Sequence, residues 1–141
     1  MEKKEALKFW MDGGDIEKLP KQFLKDKSFM TEIVKVQGIM LSKADKSLRK
    51  DKSVVLAAVK ESGSSLEYAD NSLKKDKSIV LEAIKNYGGA LQYADASLKK
   101  DRSIVIAAIK SRAGGGGVAF QFADKSLQGD LELIKLSDTG Y

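Results

Sequence analysis

Cysteine and histidine are both missing from this chain, and proline occurs once. Without cysteine there are no disulfides and no thiolate metal sites, and the redox compartment stays open. Without histidine the commonest general base and the commonest zinc ligand are removed together. No run approaches about 18 apolar residues, so no segment is expected to span a membrane. The opening stretch from Met1 to Trp10 has no long apolar core, so a cleaved secretory signal is not expected. Cytoplasmic residence is the default expectation; export by a route without such a signal would leave no mark in the sequence.

What is present is enough for a core. The 141 residues are 43% hydrophobic, which predicts one domain, 1–141. The formal net charge of +5 points toward an acidic partner, but 20 acidic residues are mixed among the 25 basic ones, as on an ordinary solvated surface.

A 25-residue unit recurs along the chain. Its first phrase reads Asp51-Lys-Ser-Val-Val-Leu-Ala-Ala-Val-Lys60, then Asp76-Lys-Ser-Ile-Val-Leu-Glu-Ala-Ile-Lys85, then Asp101-Arg-Ser-Ile-Val-Ile-Ala-Ala-Ile-Lys110. A second phrase follows each: Leu66-Glu-Tyr-Ala-Asp70, Leu91-Gln-Tyr-Ala-Asp95 and Phe120-Gln-Phe-Ala-Asp124. Self-similarity at this period marks a stacked repeat array. The expected fold is all-α, a short α-solenoid of about five 25-residue helix-pair repeats with degenerate end caps. The units fall near 1–25, 26–50, 51–75, 76–100 and 101–129, with a cap at 130–141.

The first phrase predicts a helix of about three turns, because Val54, Val55, Ala58 and Val59 share one stripe, as do their equivalents. Asp51, Asp76 and Asp101 sit where an N-cap carboxylate accepts backbone N–H bonds. Lys35, Lys60, Lys85 and Lys110 lie in the last turn, and Gly38, Gly63 and Gly88 are expected to stop the helix in the left-handed conformation. The second phrase predicts a shorter helix, with Ser64 and Glu67 spaced as a capping box, ending near Asp70, Asp95 and Asp124. Leu48, Leu73, Leu98 and Leu127 are expected to plug the following turn into the core.

The ends read as worn copies. Counting back one period puts Phe23 in the place of Leu48, Ile16 in that of Leu41, Gly13 in that of Gly38 and Pro20 in that of Asp45. Asp130 restarts the unit ahead of Glu132, Leu133 and Ile134. The fifth unit carries four extra residues around Ala113–Gly117, which reads as a flexible insertion. As a phosphate loop it lacks the lysine and the serine or threonine that such a loop requires.

The phrases Leu73-Lys-Lys-Asp-Lys-Ser-Ile-Val-Leu-Glu-Ala-Ile-Lys85 and Gly89-Ala-Leu-Gln-Tyr-Ala94 resemble the tandem-repeat family known as domain of unknown function 4116. The resemblance is strong over 48–110, weaker over 24–47 and 111–130, and faint at the ends. It implies a helical repeat array and carries no catalytic residues across. Ser28, Ser53, Ser78 and Ser103 depart from it, since the family often has an acidic residue there.

The strongest candidate surface is a ridge of charged turns: Lys25 and Lys27; Arg49, Lys50 and Lys52; Lys74, Lys75 and Lys77; Lys99, Lys100 and Arg102. Such a ridge can solubilise the array or track a phosphate backbone. Tyr68, Tyr93 and Phe122 form a second row, suited to packing between helices or to stacking on bases, with Lys43 replacing an aromatic. The Asp-x-Ser pairs assemble no catalytic triad without histidine, and repeated capping accounts for every copy. The carboxylates lack EF-hand spacing. The expected function is therefore a non-catalytic interaction module, a protein-binding scaffold without cofactor or metal. It is expected to be monomeric, to take a protein as partner, and to have no catalytic residues. The alternative is binding of nucleic acid or another polyanion along the ridge.

Overall fold

The computed structural model describes residues 1–111, Ala113 and 116–139. Gly114 and Gly115 of the insertion, and Gly140 and Tyr141 of the cap, lie outside them. The fold is an all-α repeat, with no strand among the described residues.

The chain runs through α1 (Lys3–Met11), α2 (Lys27–Val36), α3 (Lys46–Arg49), α4 (Lys52–Glu61), α5 (Asn71–Lys74), α6 (Lys77–Asn86), α7 (Ala96–Lys99), α8 (Arg102–Lys110), α9 (Gly116–Phe120), α10 (Lys125–Gln128) and α11 (Leu131–Asp138). Between α2 and α3, between α4 and α5, and between α6 and α7 lie 3₁₀ segments, Gly38–Lys43, Gly63–Tyr68 and Gly88–Tyr93. The repeating unit is thus a ten-residue helix, a six-residue 3₁₀ segment and a four-residue helix.

The long helices begin where the carboxylates dictate. Asp51 accepts from Ser53 N and Val54 N, Asp76 from Ser78 N and Ile79 N, and Asp101 from Ser103 N and Ile104 N. Asp26 caps α2 through Phe29 N and Asp130 caps α11. The predicted stripe is the core: Val54, Val55, Ala58 and Val59 are fully buried, as are their counterparts in α6 and α8. Phe29 fills the same position in α2 and meets Phe23 with ring centroids 5.0 Å apart. Successive long helices pack side by side, α2 on α4, α4 on α6 and α6 on α8.

Two local expectations are corrected. Gly38, Gly63 and Gly88 do not stop the helices in the left-handed region. The helices end at Gln37, Ser62 and Tyr87 in extended backbone, and Gly13 has the one positive φ (94°) among the described residues. What each glycine supplies is missing bulk. A Cβ on Gly63 would lie under 3.0 Å from the carbonyl oxygen of Ala83, and Gly38 and Gly88 face Ala58 and Ala108 in the same way. The glycine lets one unit's backbone approach the next unit's helix.

The second element is 3₁₀ rather than α, and Ser64 makes no capping box; Ser62 is the N-cap, without a side-chain bond. Gly63, Leu66 and Ala69 are buried, repeating as Gly88, Leu91 and Ala94, with Ser65 buried beside them in one unit and Gly89 and Ala90 in the next. A spacing of three residues suits three residues per turn. The segments do end near Asp70 and Asp95, after Tyr68 and Tyr93, and the aspartates open the next element. Asp45, Asp70, Asp95 and Asp124 cap the four-residue helices by accepting from Ser47, Ser72, Ser97 and Ser126 N. Those helices bury Leu48, Leu73 and Leu98, and Leu127 is half-buried against the core.

The capping aspartates also stitch neighbours together through their own amides. Asp45 N donates to Leu24 O, Asp70 N to Arg49 O, Asp95 N to Lys74 O and Asp124 N to Lys99 O, all at 2.9 to 3.0 Å. At the worn N-terminal end, Ile16 and Phe23 are buried as their counterparts are, and Pro20 stands at the N-cap of a 3₁₀ segment, Lys21–Lys25.

Candidate functional site

Two surfaces run the length of the repeat, the charged turns and the outward side of the long helices. On the turns, the sequence-predicted basic residues separate into rows with different surroundings. Lys27, Lys52 and Lys77 each reach the cap of the next helix, at Asp51 (2.9 Å), Asp76 (2.9 Å) and Asp101 (3.1 Å). Arg102 continues the ladder to Asp130 at 3.0 Å and also pairs with Glu132. Lys3 with Asp26 begins it at 3.8 Å.

The carboxylates of this ladder are strongly acidified. The pKa of Asp51 is lowered to about 2, first by the Ser53 hydroxyl and then by Lys27; Asp76 is lowered to about 2 by Ser78 and Lys52. Asp101 falls to about 2 through Ser103 and, less strongly, Lys77, against some opposing desolvation. Each serine of the Asp-x-Ser pairs donates its hydroxyl to the aspartate two residues before it, for example Ser78 Oγ to Asp76 Oδ1 at 2.7 Å. Neither partner resembles an activated nucleophile or base. The hydroxyl is committed as a donor, and a carboxylate of such low pKa holds no proton near neutrality.

A second row, Lys25, Lys50, Lys75 and Lys100, is exposed. These lysines help hold the pKa values of Asp45, Asp70, Asp95 and Asp124 down, after the larger effect of the Ser47, Ser72, Ser97 and Ser126 hydroxyls. Arg49, Lys74 and Lys99 are half-buried beside them. The Arg49 Nε is enclosed without a hydrogen-bond partner, and Arg49 helps line a cavity of about 370 Å³ together with Lys46, Lys50, Tyr68, Ala69 and Asp70. The turns therefore interleave both signs of charge at every rung.

The aromatic row is half-buried. Tyr68, Tyr93 and Phe122 pack against the core, and burial raises the pKa of the Tyr93 phenol. Lys43 forms an ion pair with Glu17.

The outward face of the long helices was not singled out by the sequence reasoning. Flanking the buried stripe on its outward side lie Thr31 on α2, Leu56 and Ala57 on α4, Leu81 on α6, and Ile106 and Ala107 on α8, all part-exposed. The signal available was an apolar residue at the same position of three units, just outside the buried stripe. A cavity of about 520 Å³ opens there between α2 and α4, lined by Lys35, Ser53, Leu56, Ala57, Lys60 and Glu61.

The model of the family described as a domain of unknown function (DUF4116) matches the chain three times, over 26–74, 51–98 and 76–113. The chain belongs to this family. Each match to the domain of unknown function begins on a capping aspartate, Asp26, Asp51 or Asp76, so the family's period is the period of the helix starts. No curated protein and no solved structure matches the chain. Among the described residues of this family member, no helix is long and apolar enough to cross a membrane, and no group of three or more carboxylates is placed to hold a metal ion.

Proposed function

We propose that this chain is a non-catalytic interaction module that binds a protein along the outward face of α2, α4, α6 and α8. The observation that carries this reading is the apolar row of Leu56, Leu81 and Ile106, packed against the core at its base and part-exposed at the surface of three successive long helices. A part-exposed apolar side chain seated on the core and repeated on one rigid face gives a partner anchors without any rearrangement of the scaffold. The test is photo-crosslinking from positions beside the row, comparing the native chain with a Leu56→Glu/Ile106→Glu variant whose circular dichroism is unchanged. Protein crosslinks lost in the variant support the reading; crosslinks identical in both sink it.

Polyanion binding along the turns is the second reading, favoured by the exposed Lys25, Lys50, Lys75 and Lys100 at one per unit. The ladder of paired lysines speaks against it, since Lys27, Lys52 and Lys77 already have carboxylate partners. Anisotropy of labelled mixed-sequence RNA at low and physiological salt decides. A steep salt slope that flattens in a Lys75→Glu/Lys100→Glu variant supports it, and binding confined to low salt removes it.

A further inference from the structure

Resting on the protein-binding reading above, we infer that the occupant of the outward face is an acidic segment of another protein, carrying apolar anchors and laid across α4, α6 and α8. The charge pattern of that face argues it. Each long helix ends its outward side on a lysine, Lys35, Lys60, Lys85 or Lys110, and all four are exposed. Their surroundings alternate. Glu32 lies 4.0 Å from Lys35 and Glu82 lies 3.4 Å from Lys85, so α2 and α6 neutralise their own cations. In α4 and α8 alanine replaces that glutamate, as Ala57 and Ala107, and Lys60 and Lys110 have no ion pair among the described residues. Glu61, the nearest carboxylate in the chain to Lys60, is turned to the backbone N–H of Gly38.

The same substitution changes shape as well as charge. Where glutamate gives way to Ala57, the floor is apolar and the cavity of about 520 Å³ opens beside Lys60. An apolar side chain fits this hollow, with a carboxylate next to it on Lys60. Ile106, Ala107 and Lys110 repeat the residue types of this combination, an apolar pair beside an exposed lysine, two helices on. Packed helices lie roughly 8–10 Å apart, so the two combinations are separated by about 16–20 Å. An extended chain covers that distance in about six residues. The occupant is accordingly two apolar–acidic pairs about six residues apart, with Leu81 on α6 meeting an apolar residue between them.

A displayed library of random peptides of about 12 residues, long enough to cross four helices, reads this chemistry directly. Selection uses the full native chain, with counter-selection against the Leu56→Glu/Ile106→Glu variant. The expected face-dependent peptides are rich in Asp and Glu beside Leu, Ile or Phe. They should bind roughly tenfold more weakly to a Lys60→Glu/Lys110→Glu variant, with Lys60→Gln/Lys110→Gln falling between. Unchanged circular dichroism and melting temperature confirm that each variant is folded. Face-dependent peptides that are basic or uncharged would overturn the acidic occupant while leaving a protein-binding face in place. A library that yields no face-dependent peptide also overturns it, and the crosslinking comparison above then decides the broader reading separately. Labelled RNA whose binding depends on Lys60 and Lys110 would assign the face to a polyanion instead and overturn the inference.

Discussion

Asn86 holds Gly63 from the next unit: its Oδ1 accepts the Gly63 backbone N–H at 2.6 Å, across 23 residues of sequence. Its amide nitrogen donates to the carbonyls of Lys60 and Glu61 at 3.2 and 3.3 Å. Glu61 serves Gly38 in the same way. At the next junction Ser111 occupies the position, and the carbonyl of Ala113 takes the Gly88 N–H at 2.9 Å instead. A buried amide at the start of each 3₁₀ segment is thus satisfied by the following unit.

Asn86→Ala leaves the buried Gly63 N–H without an acceptor and should cost about 1–3 kcal/mol. Asn86→Glu, copying Glu61, should retain most of the lost stability. Urea denaturation of both variants checks this, and equal losses would show that the carboxylate cannot replace the amide at this junction.

Gly63→Ala drives a methyl group toward the Ala83 carbonyl, which belongs to a packed helix and cannot rotate away. The expected cost is about 1–3 kcal/mol, as for other over-packed sites. Gly117 gives the contrast: it lies in α9 with open space around its Cβ position, so Gly117→Ala should stabilise by up to ~1 kcal/mol. Thermal melts of the two variants should shift in opposite directions.

Asp76 makes both a local cap and a bond between units. It accepts from Ser78 N at 3.0 Å and Ile79 N at 3.3 Å, and it meets Lys52 at 2.9 Å. Asp76→Ala should cost about 1–2 kcal/mol, mostly through the cap. Lys52→Ala removes a half-exposed ion pair and should cost less than about 1 kcal/mol, with most of that cost gone at high salt. Equal costs for the two would make the ladder, not the cap, the main stabiliser.

Acid should unfold the repeat in a defined window. The pKa values of Asp51, Asp76 and Asp101 are lowered to about 2 in the fold, below the ordinary aspartate value of 3.8. A depressed carboxylate pKa contributes stability above the unfolded value, and that contribution is lost as pH falls through the folded one. Stability should therefore be level above about pH 5 and decline between about pH 4 and 2. In an Asp51→Asn/Asp76→Asn/Asp101→Asn variant the decline should be shallower, as read by circular dichroism against pH.

Much of the fold was legible because its signals are local. The Asp51 carboxylate reaches only the first amides of its own helix, and Val54, Val55, Ala58 and Val59 lie on one stripe in any α-helix. The second element was misread for a reason equally local. Leu66, Tyr68 and Ala69 permit an α-helix, and the three-residue spacing of Gly63, Leu66 and Ala69 becomes visible only once their burial is known. For the candidate sites, the sequence placed every basic residue of the turns, yet could not say that Lys52 and Lys77 are paired while Lys50 and Lys75 stand exposed.

By itself, the sequence determined the period, the helix starts, the buried stripe and the all-α class, since each depends on residues within a few positions of one another. Tertiary structure decided the meaning of the glycines, the ladder from Lys3 to Asp130, and the outward face around Leu56. Those depend on partners about one repeat away in the chain, which only the packing of one unit against the next brings within a hydrogen bond's length.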